Sequence, residues 1–346
     1  MPDITESEIK HLIHEISSGF TGEREKIGDY VKQEKMVSAY TLFYLPTNVP
    51  KLKFLLDHIP LDLHDKLKQT QMVEWGTGPG TFLLAGLKYL GASDFPLVGV
   101  DSSPLMLRQA KKCLEHLAPE QKGFELYSPN QINLINSPHR KTLIFGHSAN
   151  EMRPDQILKI IDKLDPQFII FIEPGTKEAF SIILKSRHEI FARGWNQIYP
   201  CGSSGICPMT DSDDWCHQYL ITTHHHSLEQ LSQKLKIDRR NQPLIAHLYA
   251  KNVLNGSKKC RIVRTLPASK FAVAVTVCHS NNQEGEGMPH ESLVLDHLEI
   301  PFKNKDERKQ LEKIVPGDDI AYSIIKALPD GRLRVKVIGK EEEKHE

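Results

Sequence analysis

The sequence predicts an α/β protein built on a doubly wound, parallel sheet, and three observations support that prediction. Between residues 71 and about 200, short apolar stretches typical of buried strands alternate with amphipathic stretches typical of helices. A glycine-rich turn follows the first predicted strand, and an aspartate follows the second. Strands that alternate with helices pair in parallel and are covered by helices on both faces of the sheet.

The individual elements follow from the spacing of apolar residues. The predicted strands of this region are Met72 to Glu74, Pro96 to Val100, Thr142 to Phe145 and Phe168 to Ile172. The predicted helices run from the glycine turn to Leu90, from Ser103 to Leu117, from Ile157 to Leu164, and from about 176 to 193.

The flanking regions differ from this alternation. Residues 1–70 predict a helical N-terminal cap, in which Pro46, Pro50 and Pro60 are expected to act as helix breakers. Residues 71–199 then form the strand–helix domain, 200–280 a cysteine-rich segment, and 281–346 a β-rich C-terminal region ending in a solvated charged tail. Further strands are predicted at 244–250, 261–266, 271–278, 293–300, 320–327 and 333–338.

The composition excludes some classes of function. Lys and Arg together number 44, and Asp and Glu together also number 44. The chain therefore lacks the overall positive charge that is typical of proteins that bind nucleic acid through their electrostatic field. No apolar run reaches the roughly 20 residues of a spanning helix, and the acidic N-terminus resembles no secretory or organelle signal. We therefore expect a reducing cytoplasm, where six cysteines are metal ligands or buried thiols rather than disulfides.

The glycine-rich turn Glu74-Trp75-Gly76-Thr77-Gly78-Pro79-Gly80 predicts a ligand site. Glycines allow positive φ and let the backbone approach a ligand at the start of a helix. Asp101 ends the next strand, where a ribose diol would be hydrogen-bonded. The Gly-x-Gly-x-Gly spacing differs from the dinucleotide pattern and suits a ligand without phosphates, whose ammonium group would pair with a carboxylate such as Glu74.

This pattern resembles motif I of class I methyltransferases. The resemblance implies a Rossmann-like class I methyltransferase fold that binds S-adenosyl-L-methionine (AdoMet). The residues it assigns to the cofactor are Glu74, Gly76, Thr77, Gly78, Gly80, Asp101 and Ser102. The stretch after the fourth strand lacks the Asn/Asp-Pro-Pro-aromatic loop of many amino-group methyltransferases. His147, Asn150 or Glu151 could position a substrate there, but a structural role is favoured, and no catalytic residue is assigned.

Three cysteines, Cys201, Cys207 and Cys216, lie in a loop without periodicity, which a metal or cluster would order. The fourth ligand is Cys278 or Cys260, with His217 and His224 to His226 as weaker candidates. All-thiolate ligation suits zinc or an iron–sulfur cluster, and the lack of short Cys-x2-Cys spacings favours a cluster. Cys113, on an amphipathic helix, reads as a buried free thiol.

A second resemblance rests on the segment from Ile172 to His217. Its matching pieces are Ile172-Glu173-Pro174-Gly175-Thr176, a helix with Arg187 and Gly194, Tyr199-Pro200-Cys201, Cys207-Pro208 and Asp214-Trp215-Cys216-His217. They resemble the methyltransferase-like family of mitochondrial small-ribosomal-subunit proteins and their bacterial relatives, over about residues 40–320. That family implies a [4Fe–4S] cluster on Cys201, Cys207, Cys216 and Cys278.

The resemblance also implies a partner, the small ribosomal subunit and its rRNA, with neither DNA nor a membrane expected. Whether members transfer methyl groups stays open, and the mitochondrial matrix becomes the alternative to a bacterial-type cytoplasm. Local basic clusters fit phosphate contacts, although ordinary solvated faces explain each one equally well. They are Lys234, Lys236, Arg239 and Arg240; Lys258, Lys259, Arg261 and Arg264; and Arg332, Arg334 and Lys336.

Three other functions compete with this interpretation. One is a small-molecule methyltransferase with a lid stiffened by structural zinc. Another is a cytosine-C5 RNA methyltransferase, because Pro200-Cys201 echoes the Pro-Cys loop of that class, whose thiolate attacks the base. The third is a ribosome-assembly factor without catalytic activity.

Overall fold

The structure, a computed structural model, describes residues 5–22, 33–121, 123–201, 205–210, 212–252, 260–281 and 292–338. The chain divides into two compact units. The first unit comprises 1–173, 220–242 and 247–249, and the second comprises 174–219, 243–246 and 250–346. The four-part division predicted from the sequence remains a prediction.

The N-terminal part of the first unit is helical, as the spacing predicts. Its helices are α1 (Glu6–Gly22), α2 (Glu34–Asn48), α3 (Pro50–Leu56) and α4 (Leu61–Lys68). The expectation that Pro46 breaks a helix is wrong, because Pro46 lies inside the last turn of α2. The proline removes one hydrogen bond, from its own missing N–H to the carbonyl of Leu42, and the helix ends two residues later. Pro50 occupies the first position of α3, where the missing N–H costs nothing.

An eight-stranded sheet forms the centre of the fold. Its strands are β1 (Gln71–Trp75), β2 (Leu97–Val100), β3 (Phe124–Tyr127), β4 (Lys141–Gly146), β5 (Phe168–Pro174), β6 (Trp195–Tyr199), β7 (Gln218–Ile221) and β8 (Asn241–Lys251). The strand order is β3-β2-β1-β4-β5-β8-β6, with β7 paired to β8. The four pairs among the first five strands are parallel, which confirms the predicted doubly wound α/β class.

Hydrophobic burial fixes the register of the parallel strands. Val73 of β1 lies beside Val98 of β2 and Leu143 of β4, and all three side chains are fully buried. Strands covered on both faces read as continuous apolar runs, which is why the sequence revealed them. Since the strands are parallel, the carboxyl ends of β1, β2 and β4 meet at one edge, where ligands bind in this fold.

Helices follow these strands in turn. They are α5 (Thr81–Leu90), α6 (Pro104–Leu117), α7 (Pro154–Leu164), α8 (Lys177–Ala192) and α9 (His226–Leu235). Helix α9 was not predicted, although Leu228 and Leu235 join the apolar cluster that holds α1 and α2. None of the helices in the described part of the chain has the length and apolar character needed to cross a lipid bilayer.

The second unit contains a separate five-stranded sheet, in the order β12-β13-β11-β10-β9. Its strands are β9 (Arg261–Leu266), β10 (Ala272–Asn281), β11 (Ser292–Pro301), β12 (Ala321–Ala327) and β13 (Leu333–Ile338), with helix α10 at Lys305–Leu311. Val275, Val277, Leu298 and Val335 form its buried core. The C-terminal strands were predicted, whereas β3, β6, β7 and α10 were not. The predicted tail, 341–346, lies outside the described residues.

Candidate functional site

The glycine turn after β1 borders a cavity of about 430 Å³ in the first unit. The loops after β1, β2 and β4 line it, together with Tyr40 and Asn48 from α2. The backbone N–H groups of Gly76 and Thr77 donate to the carbonyl of Val100, at 2.8 and 2.9 Å, which ties the turn to the end of β2. The cavity therefore lies where the sequence predicted a ligand.

The three glycines of the turn all have left-handed backbone angles. The φ values are 72° for Gly76, 51° for Gly78 and 84° for Gly80. A Cβ on Gly76 would come within 2.4 Å of the Ser148 Cβ, whereas a Cβ on Gly78 would meet no heavy atom within 4 Å. Gly76 thus serves close packing, and Gly78 leaves open space beside the cavity.

Glu74 is buried and holds the turn together. Its carboxylate accepts hydrogen bonds from the N–H groups of Phe82 at 3.1 Å and Leu83 at 3.0 Å, and from the Thr77 hydroxyl at 2.9 Å. The side chain therefore stabilises the first turn of α5, whose N–H groups lack partners within the helix. Burial raises the pKa of Glu74 to about 8, against these hydrogen bonds, which lower it.

Asp101 follows β2 and borders the cavity beside the glycine turn. One carboxylate oxygen accepts from the Gly78 N–H at 2.8 Å, and the other from the Ser103 N–H at 2.8 Å. Each oxygen retains a second lone pair, so the carboxylate can still accept from ligand hydroxyls. Burial raises the pKa of this carboxyl group. Ser102 also lines the cavity.

The segment after β4 combines structural and cavity-lining residues. His147 and Glu151 line the cavity, whereas Asn150 does not. Glu173, at the end of β5, accepts hydrogen bonds from the N–H groups of Ser148 at 3.0 Å, Ala149 at 2.8 Å and Asn150 at 3.4 Å. Sequence reasoning quoted Glu173 only within a family motif and missed this role. An acid at the end of a buried strand, as at Glu74, was the available signal.

The second unit brings the three loop cysteines together with Cys278. The Cys278 thiol interacts electrostatically with Cys201, Cys207 and Cys216, and Cys216 interacts with the other two loop thiols. Cys260 instead interacts with Asp296, Tyr322 and Asp319. Of the two candidates for a fourth ligand, Cys278 is therefore the one placed near the trio.

The environment of these thiols opposes ionisation. Burial raises the pKa of Cys207 to about 11, and the neighbouring Cys201 adds to the effect. Burial is also the largest cause of the raised pKa of Cys216 and Cys278, and the neighbouring thiols add to this rise. Arg261 opposes the rise at both cysteines. Within the described ranges, no group of three or more His, Cys, Asp or Glu side chains is arranged to hold a metal ion.

Hydrogen bonds from three side chains fix the position of the cysteine loop. Arg187, from α8, donates to the carbonyl of Gly205 at 2.7 Å and to Gln197 at 2.9 Å. Arg261, from β9, donates to the carbonyl of Pro200 and to Asp319. The Trp215 indole N–H donates to the carbonyl of Gly175 at 2.9 Å. In the described part of this loop, 205–210 and 212–217, no helix or strand is present, and these side chains supply hydrogen bonds that fix it.

Most of the predicted basic clusters are neutralised within the fold. The cations with acidic partners are Lys234 (Glu6), Arg240 (Asp238), Arg261 (Asp319), Arg264 (Asp214), Arg332 (Asp330 and Glu299) and Arg334 (Glu299). Arg239 is half-buried, and Lys258 and Lys259 lie outside the described residues. Arg240 and Arg332 pair with acids two residues away, whereas sequence patterns could not reveal the other pairs, whose acids lie far along the chain.

The chain resembles known proteins at the level of family and fold. Residues 34–288 match the family described as "Mitochondrial small ribosomal subunit Rsm22", well over half of the 346 residues. None of the curated proteins matches the sequence.

Three solved structures of methyltransferase type resemble the chain. A provisionally assigned RNA methyltransferase from Pyrococcus horikoshii is 12% identical, with a TM-score of 0.36, over 72% of this chain and 98% of that one. Magnesium protoporphyrin IX methyltransferase from Synechocystis, with bound AdoMet, is 12% identical, with a TM-score of 0.35, over 73% and 100%. The methyltransferase domain of a bacterial Hen1 protein is 12% identical, with a TM-score of 0.36, over 60% and 100%.

Proposed function

Since the chain belongs to the mitochondrial small ribosomal subunit Rsm22 family, we propose that it binds the small ribosomal subunit as a methyltransferase-like factor. The partner would be the subunit of a bacterial-type cytoplasm or of the mitochondrial matrix. The observation that supports the methyltransferase part is the cavity that the glycine turn and Asp101 line at the carboxyl ends of β1 and β2.

AdoMet is the ligand that we propose for this cavity. Asp101 would accept hydrogen bonds from the ribose hydroxyls, beside Ser102, and the turn at Gly76, Gly78 and Gly80 would let the backbone approach the ligand. Glu74 and Thr77 would hold the turn in shape, and the Glu74 Oε1, which accepts only one hydrogen bond, would still be able to accept from the ammonium.

The four cysteines would hold a [4Fe–4S] cluster in the second unit. Four thiols from two separate segments lie close together, and the buried guanidiniums of Arg187 and Arg261 lie near them. Four thiolates around a cluster leave net negative charge, which two neighbouring cations would offset. The proposed centre is therefore a tetrathiolate one, and zinc is the alternative occupant.

Anaerobic purification with iron and sulfide analysis tests the cluster. We expect about four irons and four sulfides per wild-type chain, together with a brown absorption band. Cys278→Ser should lose most of the iron, and Cys260→Ser, the matched control, should keep it. Colourless wild-type protein with one zinc would instead favour a methyltransferase with a structural zinc site. Loss of iron in Cys260→Ser alone would reject Cys278 as a ligand.

Methyl-labelled AdoMet and purified small-subunit particles test the function itself. Co-sedimentation of the protein with the particles is expected, and its absence would contradict the ribosomal role. Label transferred to rRNA or to ribosomal protein would establish an enzyme. Binding of particles and AdoMet without any transfer would establish a non-enzymatic assembly or translation factor.

A further inference from the structure

Two cationic side chains lie behind one wall of the first-unit cavity without an acidic partner. Lys51, on α3, is only 2% exposed. The Arg239 guanidinium donates to Asn48 at 2.8 Å and to Thr47 at 3.3 Å, and lies 5.4 Å from the ring centre of Tyr44. Neither cation forms a salt bridge with any residue in the described part of the chain. A buried cation without a counter-charge is costly, so Lys51, with the half-buried Arg239 in the same region, favours an anionic ligand at this wall.

The wall itself consists of the side chains between these cations and the cavity. Asn48 and His147 line the cavity, and each contacts one of the two cations. The His147 Nε2 lies 2.7 Å from the Lys51 Nζ, and its Nδ1 forms no hydrogen bond with a described residue. When Lys51 donates to Nε2, the ring proton resides on Nδ1, which is then a free donor.

The backbone of His147 is held in an unfavourable conformation. Its φ of 57° lies in the left-handed region, which non-glycine residues adopt at a cost of about 1–3 kcal/mol. Its N–H donates to the carbonyl of Ile172 at 2.9 Å, and its ring lies nearly parallel to that of Phe82, with centres 6.4 Å apart. Such a conformation, maintained at a cavity wall, is typical of functional sites.

The pKa shifts at this wall are those expected of cationic groups without a nearby counter-ion. Burial, and then Arg239, lowers the pKa of Lys51 well below its usual value, while Glu173 opposes this change. Burial also lowers the pKa of His147, and the positive charges of Lys51 and Arg239 add to this effect. Glu173 cannot serve as the counter-ion at hydrogen-bonding distance, because three backbone N–H groups occupy its carboxylate.

We propose that this wall binds the carboxylate of the amino-acid part of AdoMet, with His147 and Asn48 contacting it and Lys51 and Arg239 supplying the positive charge. The inference rests on the proposed AdoMet site and adds His147, Asn48, Lys51 and Arg239 to the cofactor residues that the glycine motif predicts. An ammonium group would be repelled there. The acids that line the cavity are Glu74, Asp101 and Glu151, and they remain available to the cationic and hydroxyl groups of the ligand.

Decarboxylated AdoMet provides the test, because it keeps the adenosine, sulfonium and ammonium groups and lacks only the carboxylate. Calorimetric titration of the full chain should show AdoMet binding at least about tenfold more tightly than the decarboxylated compound, since charge-assisted hydrogen bonds would be lost. Lys51→Met should reduce this ratio of affinities to below about threefold. The variant should bind AdoMet more weakly, while its affinity for the decarboxylated compound should be nearly unchanged.

Two further variants separate this effect from misfolding. His147→Asn removes the imidazole with a residue that tolerates positive φ, and should also reduce the ratio. Lys66→Met is the matched control, because Lys66 is an exposed lysine of α4 paired with Asp62, and its ratio should equal that of the wild type.

The outcomes distinguish this inference from the proposed function. Equal affinity of the wild type for both compounds would overturn the carboxylate site while leaving the AdoMet site intact. An unchanged ratio in both Lys51→Met and His147→Asn would do the same. Binding of neither compound would reject the AdoMet site, and the carboxylate site with it.

Discussion

Gly76 and Gly78 have similar left-handed backbones but different surroundings. Alanine is strained at either position, at a cost of about 1 kcal/mol. At Gly76 the new methyl group would also collide with Ser148, which is anchored by its hydroxyl to the carbonyl of Trp75 at 2.6 Å. At Gly78 it would occupy open space, so its main effect would fall on the ligand.

We therefore predict that Gly76→Ala lowers the free energy of unfolding by about 2–4 kcal/mol, as strain and overpacking add. Gly78→Ala should cost about 1 kcal/mol but weaken AdoMet binding about tenfold or more. Denaturant unfolding and ligand titration measure the two effects. If Gly76→Ala and Gly78→Ala lost the same stability and Gly78→Ala bound AdoMet as tightly as the wild type, the cavity would not be the AdoMet site.

Two strands, β1 and β5, end in buried glutamates that stabilise the segments following β1 and β4. Glu74 accepts from the first turn of α5, and Glu173 from the short turn Ala149–Glu151 and the residue before it. Burial raises the pKa of each to about 8 from an ordinary value of 4.5. Between these values the folded chain binds more protons than the unfolded chain, so the stability contributed by each glutamate falls as pH rises.

The pH dependence of a Glu74→Gln variant checks this sign. We expect the stability advantage of the wild type over Glu74→Gln to shrink as pH increases from about 5 to 8, because glutamine does not titrate. Urea unfolding of both proteins at several pH values measures the difference, in which contributions of other groups cancel. An advantage that grows with pH would mean that the hydrogen bonds to the carboxylate outweigh its burial.

Helix α8 supports the cysteine loop through Arg187, which donates to the carbonyl of Gly205. If the proposed cluster is bound, Arg187→Met should accelerate the loss of its iron in air several-fold, because the loop would lose both a buried hydrogen bond and a neighbouring cation. Absorption decay during air exposure measures the rate. Lys185→Met, on an exposed position of the same helix, is the control and should decay like the wild type.

The whole molecule has no net charge, and most cations of its predicted basic clusters pair with acids. Proteins that neutralise six to ten phosphates lose about 10³–10⁵ in affinity between 50 and 200 mM salt. We expect a loss below about thirtyfold for small-subunit particles over this range, since most cations of these clusters are already paired with acids. Filter binding at several salt concentrations measures the slope. A thousandfold loss would show that these pairs open on binding.

The sequence determined the features that depend on neighbouring residues. Apolar runs identified the buried strands β1, β2, β4 and β5, and the glycine turn with Asp101 located the cavity, because each signal lies within a few residues of its element. Strand β3 was missed because it is short and half exposed, and α9 because its apolar face has only a few residues.

Only the tertiary structure decided which distant residues meet. It placed Cys278 rather than Cys260 beside the loop thiols, and paired Arg334 with Glu299. It also buried Lys51 against His147, 96 positions away. Sequence spacing gives no information about such contacts, because hydrophobic packing and sheet register bring the side chains together. The chemistry at both candidate sites depends on those long-range contacts.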